Sequence, residues 1–140
     1  MRALKLLNKW ANSHTYYPLD IIRIGLGGFI FYKGLYFMSN SLVLAELIEP
    51  LKNYVGEIIL LHYVVPAHLI GGILIAFGLL TRWALIAQIP ILIGAVLINI
   101  IGVMNGLQLA TASIILLLSL FFIVYGSGKH SADYYFKMEQ

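Results

Sequence analysis

Four apolar runs dominate the chain: 19–38, 58–80, 84–103 and 107–125. Each is about 20 residues long, the length a helix needs to cross roughly 30 Å of hydrocarbon. Shorter runs would fit the buried helices of a water-soluble domain. The composition agrees, with 61% hydrophobic residues and 11% charged among 140. That leaves no stretch polar enough to build a separate soluble domain. The expected fold is therefore all-α: a single membrane domain over 1–140, built as a four-helix transmembrane bundle.

Connections and charges set the topology. "TRW" and "NG" are too short for anything but antiparallel neighbours, so spans two, three and four follow one another closely. An even number of crossings places both termini on one side. Arg2, Lys5, Lys9, Arg82, Lys129 and Lys137 fall on that side, whereas Lys52 stands opposite beside Glu46, Glu49 and Glu57. Positive residues mark the cytoplasmic face, so both termini are expected there and 39–57 outside. In a membrane chain a net charge of +3 reflects this asymmetry rather than affinity for nucleic acid, and no nucleic-acid partner is expected.

Outside the spans, "MRALKLLNKWAN" puts Leu4, Leu7, Trp10 and Ala11 on one helical face and Arg2, Lys5 and Lys9 on the other. This is the pattern of an amphipathic helix lying in the inner interface. "SNSLVLAELIEPLKNYVGE" reads as a short interfacial helix over the outer mouth of the bundle. Gly25, Gly28, Gly34, Gly94, Gly102 and the pairs Ala67/Gly71 and Gly72/Ala76 are expected to let helices approach closely. Pro66 and Pro90 each remove one helical hydrogen bond, freeing the carbonyls of His62 and Ile86.

The polar residues inside the runs are the candidate site. At 1.5 Å per residue, Lys33, His68 and Asn99 stand roughly 21, 18 and 22 Å above the inner ends of their spans. Three helices thus bring polar groups to one level, with His62 and Gln108 a turn or more further out. Intramembrane polar groups usually face the bundle interior. Such a set of donors, walled by Phe29, Tyr32, Tyr36 and Tyr63, suits a quinone head or an anionic lipid group. It suits a metal poorly, because no carboxylate lies at that level and His62 and His68 are about 240° apart around their helix. No metal site is expected, and no cysteine is present for thiol or iron–sulfur chemistry.

Purely structural readings stand beside the ligand reading. Lys33 can extend to the outer interface and meet Glu57 or Glu46. His68 can bond a carbonyl freed by a proline, and Asn99 can tie two helices. At the inner face Asp20, Arg23, Arg82, Gln88 and Asp133 form a second group. There Arg23 or Arg82 with Asp133 is expected to latch the C-terminal segment under the bundle.

Three stretches, "RIGLGGFIFYKGLYF", "AHLIGGILIAFGLLTRWA" and "YGSGKHSADYYF", together resemble the DoxX family of small four-helix bacterial membrane proteins. The resemblance implies a multi-pass protein of the bacterial inner membrane. It also implies an association with respiratory or redox complexes, since the namesakes are linked to a terminal quinol oxidase and to thiosulfate:quinone oxidoreductase. Distant relatives act as membrane-protein chaperones. Two departures stand out: His68 occupies a position where many members have glutamate, and Lys33 one where many have histidine.

The leading expectation is an accessory subunit of a redox complex, not catalytic on its own, with a quinone or lipid pocket around Lys33, His68, Asn99, Tyr36 and His62. The alternative is an assembly factor that packs against other membrane-protein subunits, with homo-oligomers a further expectation. A self-sufficient quinone-linked enzyme ranks last, because no cofactor motif is present.

Overall fold

A computed structural model describes residues 2–14, 16–53, 56–102 and 105–136. Among them the chain is all helical: α1 (Arg2–Ser13), α2 (Tyr17–Ser39), α3 (Ser41–Ile48), a 3₁₀ turn (Glu49–Leu51), α4 (Glu57–Phe77), α5 (Thr81–Ile101), α6 (Gly106–Tyr125) and α7 (Ala132–Tyr135). Helices α2, α5 and α6 are long and apolar enough to cross a membrane, and α4 contributes a shorter apolar segment, Leu61–Phe77. The expected run at 84–103 ends on Val103, which lies outside the described residues.

Their surfaces are those of a protein solvated by lipid. Ile21, Phe77, Trp83, Leu107 and Leu117 are between 66% and 79% exposed, spread over all four long helices. A water-soluble monomer rarely shows apolar patches on that scale. Inside, Leu26, Ile30, Ile75, Leu85, Ile115 and Phe122 form the main core. A smaller cluster of Leu44, Ile48 and Val64 seats α3 on α4.

The tightest crossing joins α2 to α4. A Cβ on Gly72 would stand 2.5 Å from the Phe31 nitrogen and 2.8 Å from the Gly27 carbonyl oxygen. A Cβ on Gly27 would strike the backbone of Ala76 and Gly72, and one on Gly34 would come within 3.0 Å of Leu69 and His68. Gly34, as expected, and Gly27 are therefore the glycines of the first span that set the approach, not Gly25 or Gly28. Both of those are exposed, and a Cβ on either meets nothing within 4 Å. Gly71 makes room for a side chain instead, since a Cβ there would fall 2.5 Å from Gln88 Nε2.

Local signals explain the helix ends. Pro18 opens α2, where its missing N–H removes nothing. Asn105 caps α6, its side-chain oxygen accepting from Leu107 N at 3.2 Å and Gln108 N at 3.3 Å. Pro66 and Pro90 lie inside α4 and α5 without ending them. The turn between α4 and α5 differs from expectation: "TRW" begins α5, and the chain reverses at 78–80 instead. Gly78 ends α4 in the left-handed region at φ 70°, and Leu80 follows at φ 47°. Such a conformation favours glycine and is strained for leucine. Something outside the turn must hold Leu80 there.

The bundle has two differentiated ends. At one, Trp10 of α1 packs edge-on against Tyr125, with ring centroids 6.3 Å apart, and Tyr17 stacks on His130 at 4.9 Å. At the other, α3 and the 3₁₀ turn pack on α2, α4 and α5. The inward face of α1 is Leu7, Asn8 and Ala11, whereas Leu4 and Trp10 are half exposed.

Candidate functional site

A cavity of about 460 Å³ opens beneath α3, between α2, α4, α5 and α6. Its walls are mostly aliphatic, and Lys33, Tyr36, His68 and Asn99 are the expected residues that line it, with Phe29 as an aromatic wall. Phe37, Gln108 and Thr111 join them. Phe37 meets His68 edge-on at 5.7 Å. The volume falls within the ordinary range for small-molecule pockets, as does the mix of apolar walls with a few convergent polar groups.

Each polar group is held from its own helix. His68 is 7% exposed, and its Nδ1 lies 2.9 Å from the Val64 carbonyl oxygen one turn earlier. Asn99 Nδ2 donates to the Ala95 carbonyl at 2.8 Å, again one turn back. Among the described residues neither makes a hydrogen bond between helices, and neither uses a carbonyl freed by Pro66 or Pro90. Lys33 Nζ stands 5.7 Å from the Phe29 ring and 5.8 Å from the Tyr36 ring, a cation held against aromatic faces. It forms no ion pair with Glu46, and the Glu57 side chain lies outside the described residues. Among those described, no carboxylate lines the cavity.

Three expected residues fall elsewhere. His62 is exposed on the far side of α4, its ring bonded to the Ile58 carbonyl at 2.9 Å, and it does not line the cavity. Its 240° offset from His68 turns it away. Tyr32 points outward, 61% exposed. Tyr63 spans the α4–α5 surface, its hydroxyl donating to the Ala87 carbonyl at 2.6 Å. Phe37 supplies the wall they were expected to give. Its signal was its place one turn beyond Lys33, on the buried side of α2.

At the opposite end, Asp133 is wholly buried and reaches under the α4–α5 turn. Its carboxylate accepts from Leu80 N at 2.6 Å and Thr81 N at 3.1 Å, while its own N–H donates to the Gly78 carbonyl at 2.9 Å. It caps α5 from a distant part of the chain, and the two bonds hold Leu80 in its strained conformation. Its direct partners are thus backbone amides, not the expected arginine. Arg23 holds the same segment by other atoms. It donates to the carbonyls of Ser127 and, at 3.3 Å, His130, and it pairs with Asp20 at 3.2 Å. His130 Nδ1 closes the ring on Asp20 Oδ2 at 2.8 Å.

Arg82 stands apart, donating to the Val124 carbonyl at 3.2 Å with no ion pair to Asp133. Gln88 belongs to neither group; fully buried, it donates to the Ala67 carbonyl across the α4–α5 contact. Ser131 and His130 had not been anticipated. Ser131 Oγ bonds Ser127 Oγ at 3.0 Å and the Gly128 carbonyl at 2.7 Å, and a Cβ on Gly78 would meet Ser131 at 2.5 Å. Thus "GLLTR" and "GSGKHSAD", far apart in sequence, form one interlocked unit.

Lipid-exposed helices around a largely apolar cavity with a few polar groups define a small polytopic membrane protein. A family model matches residues 19–100, and the chain belongs to the DoxX family. The matched region contains Lys33, His68 and Asn99, while Asp133 lies beyond it. No curated protein and no solved structure matches the chain.

Proposed function

We propose that this DoxX-family protein is a non-catalytic accessory subunit of a bacterial inner-membrane redox complex, holding a quinone or lipid head in the cavity beneath α3. The observation that carries this reading is the convergence of Lys33, His68 and Asn99 from three helices on one largely apolar cavity, with no carboxylate among the described residues that line it. The redox setting rests on the family resemblance. In this arrangement α2, α4, α5 and α6 each cross the bilayer. At 21 residues, α4 is about 31 Å long, enough for the hydrocarbon core. Helix α1 lies in the cytoplasmic interface with the tail, and α3 lies outside.

The topology has a direct test, because the chain has no cysteine of its own. Single cysteines at Ser41 and Tyr135, both exposed, should label from opposite sides of intact cells and inverted vesicles. Labelling from one side would reject four crossings. For the pocket, mass spectrometry after gentle detergent extraction should find a retained quinone or lipid in the wild type and lose it in His68→Leu. Stability should change by less than about 1 kcal/mol, since His68 bonds only its own helix. Equal retention by both proteins would reject the pocket.

A second reading is favoured by Gly25 and Gly28, which leave an exposed groove on α2 beside Ile21 and Tyr32. Small residues on a lipid-facing side permit close packing of another helix. This supports an assembly factor for other membrane-protein subunits, or self-association. Stoichiometric co-purification with an unfinished partner, lost when Gly25 and Gly28 are enlarged, would favour it.

A further inference from the structure

We infer that the cavity beneath α3 selects the redox state of its ligand, holding a hydroquinone head in preference to the corresponding dione. This rests on the ligand reading of the cavity proposed above.

Donors and acceptors decide the preference. The Val64 carbonyl can only accept, so its 2.9 Å contact places the proton of the neutral His68 ring on Nδ1. Nε2 is then a lone pair, without a partner among the described residues, on a ring that lines the cavity. Asn99 commits one amide N–H to Ala95, which leaves its Oδ1 and its second N–H without a partner among the described residues. Lys33, on the facing helix, has donors only. The cavity thus offers a cationic donor from α2, a lone pair from α4 and, in Asn99, an amide that can serve either form, so the discrimination falls to His68 Nε2.

A dione has acceptors alone. It would satisfy Lys33, but its other carbonyl would face a nitrogen lone pair, and a polar group left unmatched in an apolar cavity is costly. A hydroquinone matches both sides, with one oxygen accepting from Lys33 while the other hydroxyl donates to His68 Nε2. Lys33 can donate to an oxygen of either form, so it anchors the head without setting the preference. Stronger binding of the reduced form raises the midpoint potential of the bound couple, by about 30 mV per tenfold preference for two electrons.

The test is a calorimetric titration of the intact chain in detergent. The probes are a decyl-substituted benzoquinone and, under anaerobic conditions with excess dithionite, its hydroquinone. The hydroquinone should bind about tenfold more tightly, the contribution of one additional hydrogen bond. His68→Phe should weaken the hydroquinone alone and bring the two affinities together. Equal wild-type affinities, or tighter binding of the dione, would overturn the selectivity while leaving the pocket intact. If neither form binds, the pocket reading fails and the selectivity fails with it. The wild-type comparison needs no variant, so poor folding of His68→Phe would not blunt the test.

Discussion

Asp133→Ala should lower the unfolding free energy by about 2–4 kcal/mol, because it removes a charged acceptor from two buried amides at once. Leu80 N and Thr81 N, at 2.6 and 3.1 Å from the carboxylate, would lose the acceptor that the structure gives them. The tail would keep its backbone bond to Gly78 and its contacts with Arg23 but lose the carboxylate's grip on the turn, so residues 126–136 should become more sensitive to protease. Asp133→Asn keeps one acceptor oxygen and should recover part of the loss. Unfolding in detergent followed by helix signal, with timed proteolysis of the tail, reads both effects. An unchanged midpoint and unchanged cleavage would show that the buried carboxylate does not hold the turn.

The second large effect is expected at the α2–α4 crossing. Gly27→Val places a branched side chain against the backbone of Ala76 and Gly72, and a backbone cannot step aside as a flexible side chain can. The helices must separate, with a loss of about 3 kcal/mol at the upper end of ordinary overpacking. Gly28→Ala, one residue along, meets nothing within 4 Å. It should leave the fold unharmed or gain about 0.5–1 kcal/mol from better helix propensity. Thermal unfolding and gel filtration of the two variants side by side check the contrast. Equal tolerance of both would mean that the crossing is looser than the Gly27–Gly72 contact requires.

That contrast also marks what the sequence could and could not say. Run length alone locates the helices, because hydrocarbon thickness is a physical ruler. Rise per residue gives depth, and depth alone brings Lys33, His68 and Asn99 to one level. Rotation about the axis is the missing quantity. A helix apolar all round has no polar face to say which side turns inward. Gly27 was therefore passed over for Gly25 and Gly28, and Tyr32 and Tyr63 were set in a wall that Phe37 provides. His62 was retained on depth although its rotation already opposed it. The α4–α5 boundary was misplaced for a related reason: Leu79 and Leu80 read as hydrocarbon, and a lone Gly78 is a weak stop signal. Asp133 was legible as part of an inner latch, but an arginine is the obvious partner for a carboxylate in a sequence. Backbone amides leave no trace in residue letters.

The turn at 78–81 also gives assembly a direction in time. Its acceptor lies 52 positions beyond Thr81, and chains emerge from the N-terminus onward. In the proposed four-span arrangement, α4 and α5 enter the bilayer as a hairpin whose two turn amides still lack the Asp133 carboxylate. All of α6 has to be made, and the chain has to come back beneath the bundle, before Asp133 can reach them. A segment in the middle of the sequence is thus among the last to be finished. A nascent chain stalled after α6 would hold every span and still lack the closure that fixes how α5 stands against its neighbours.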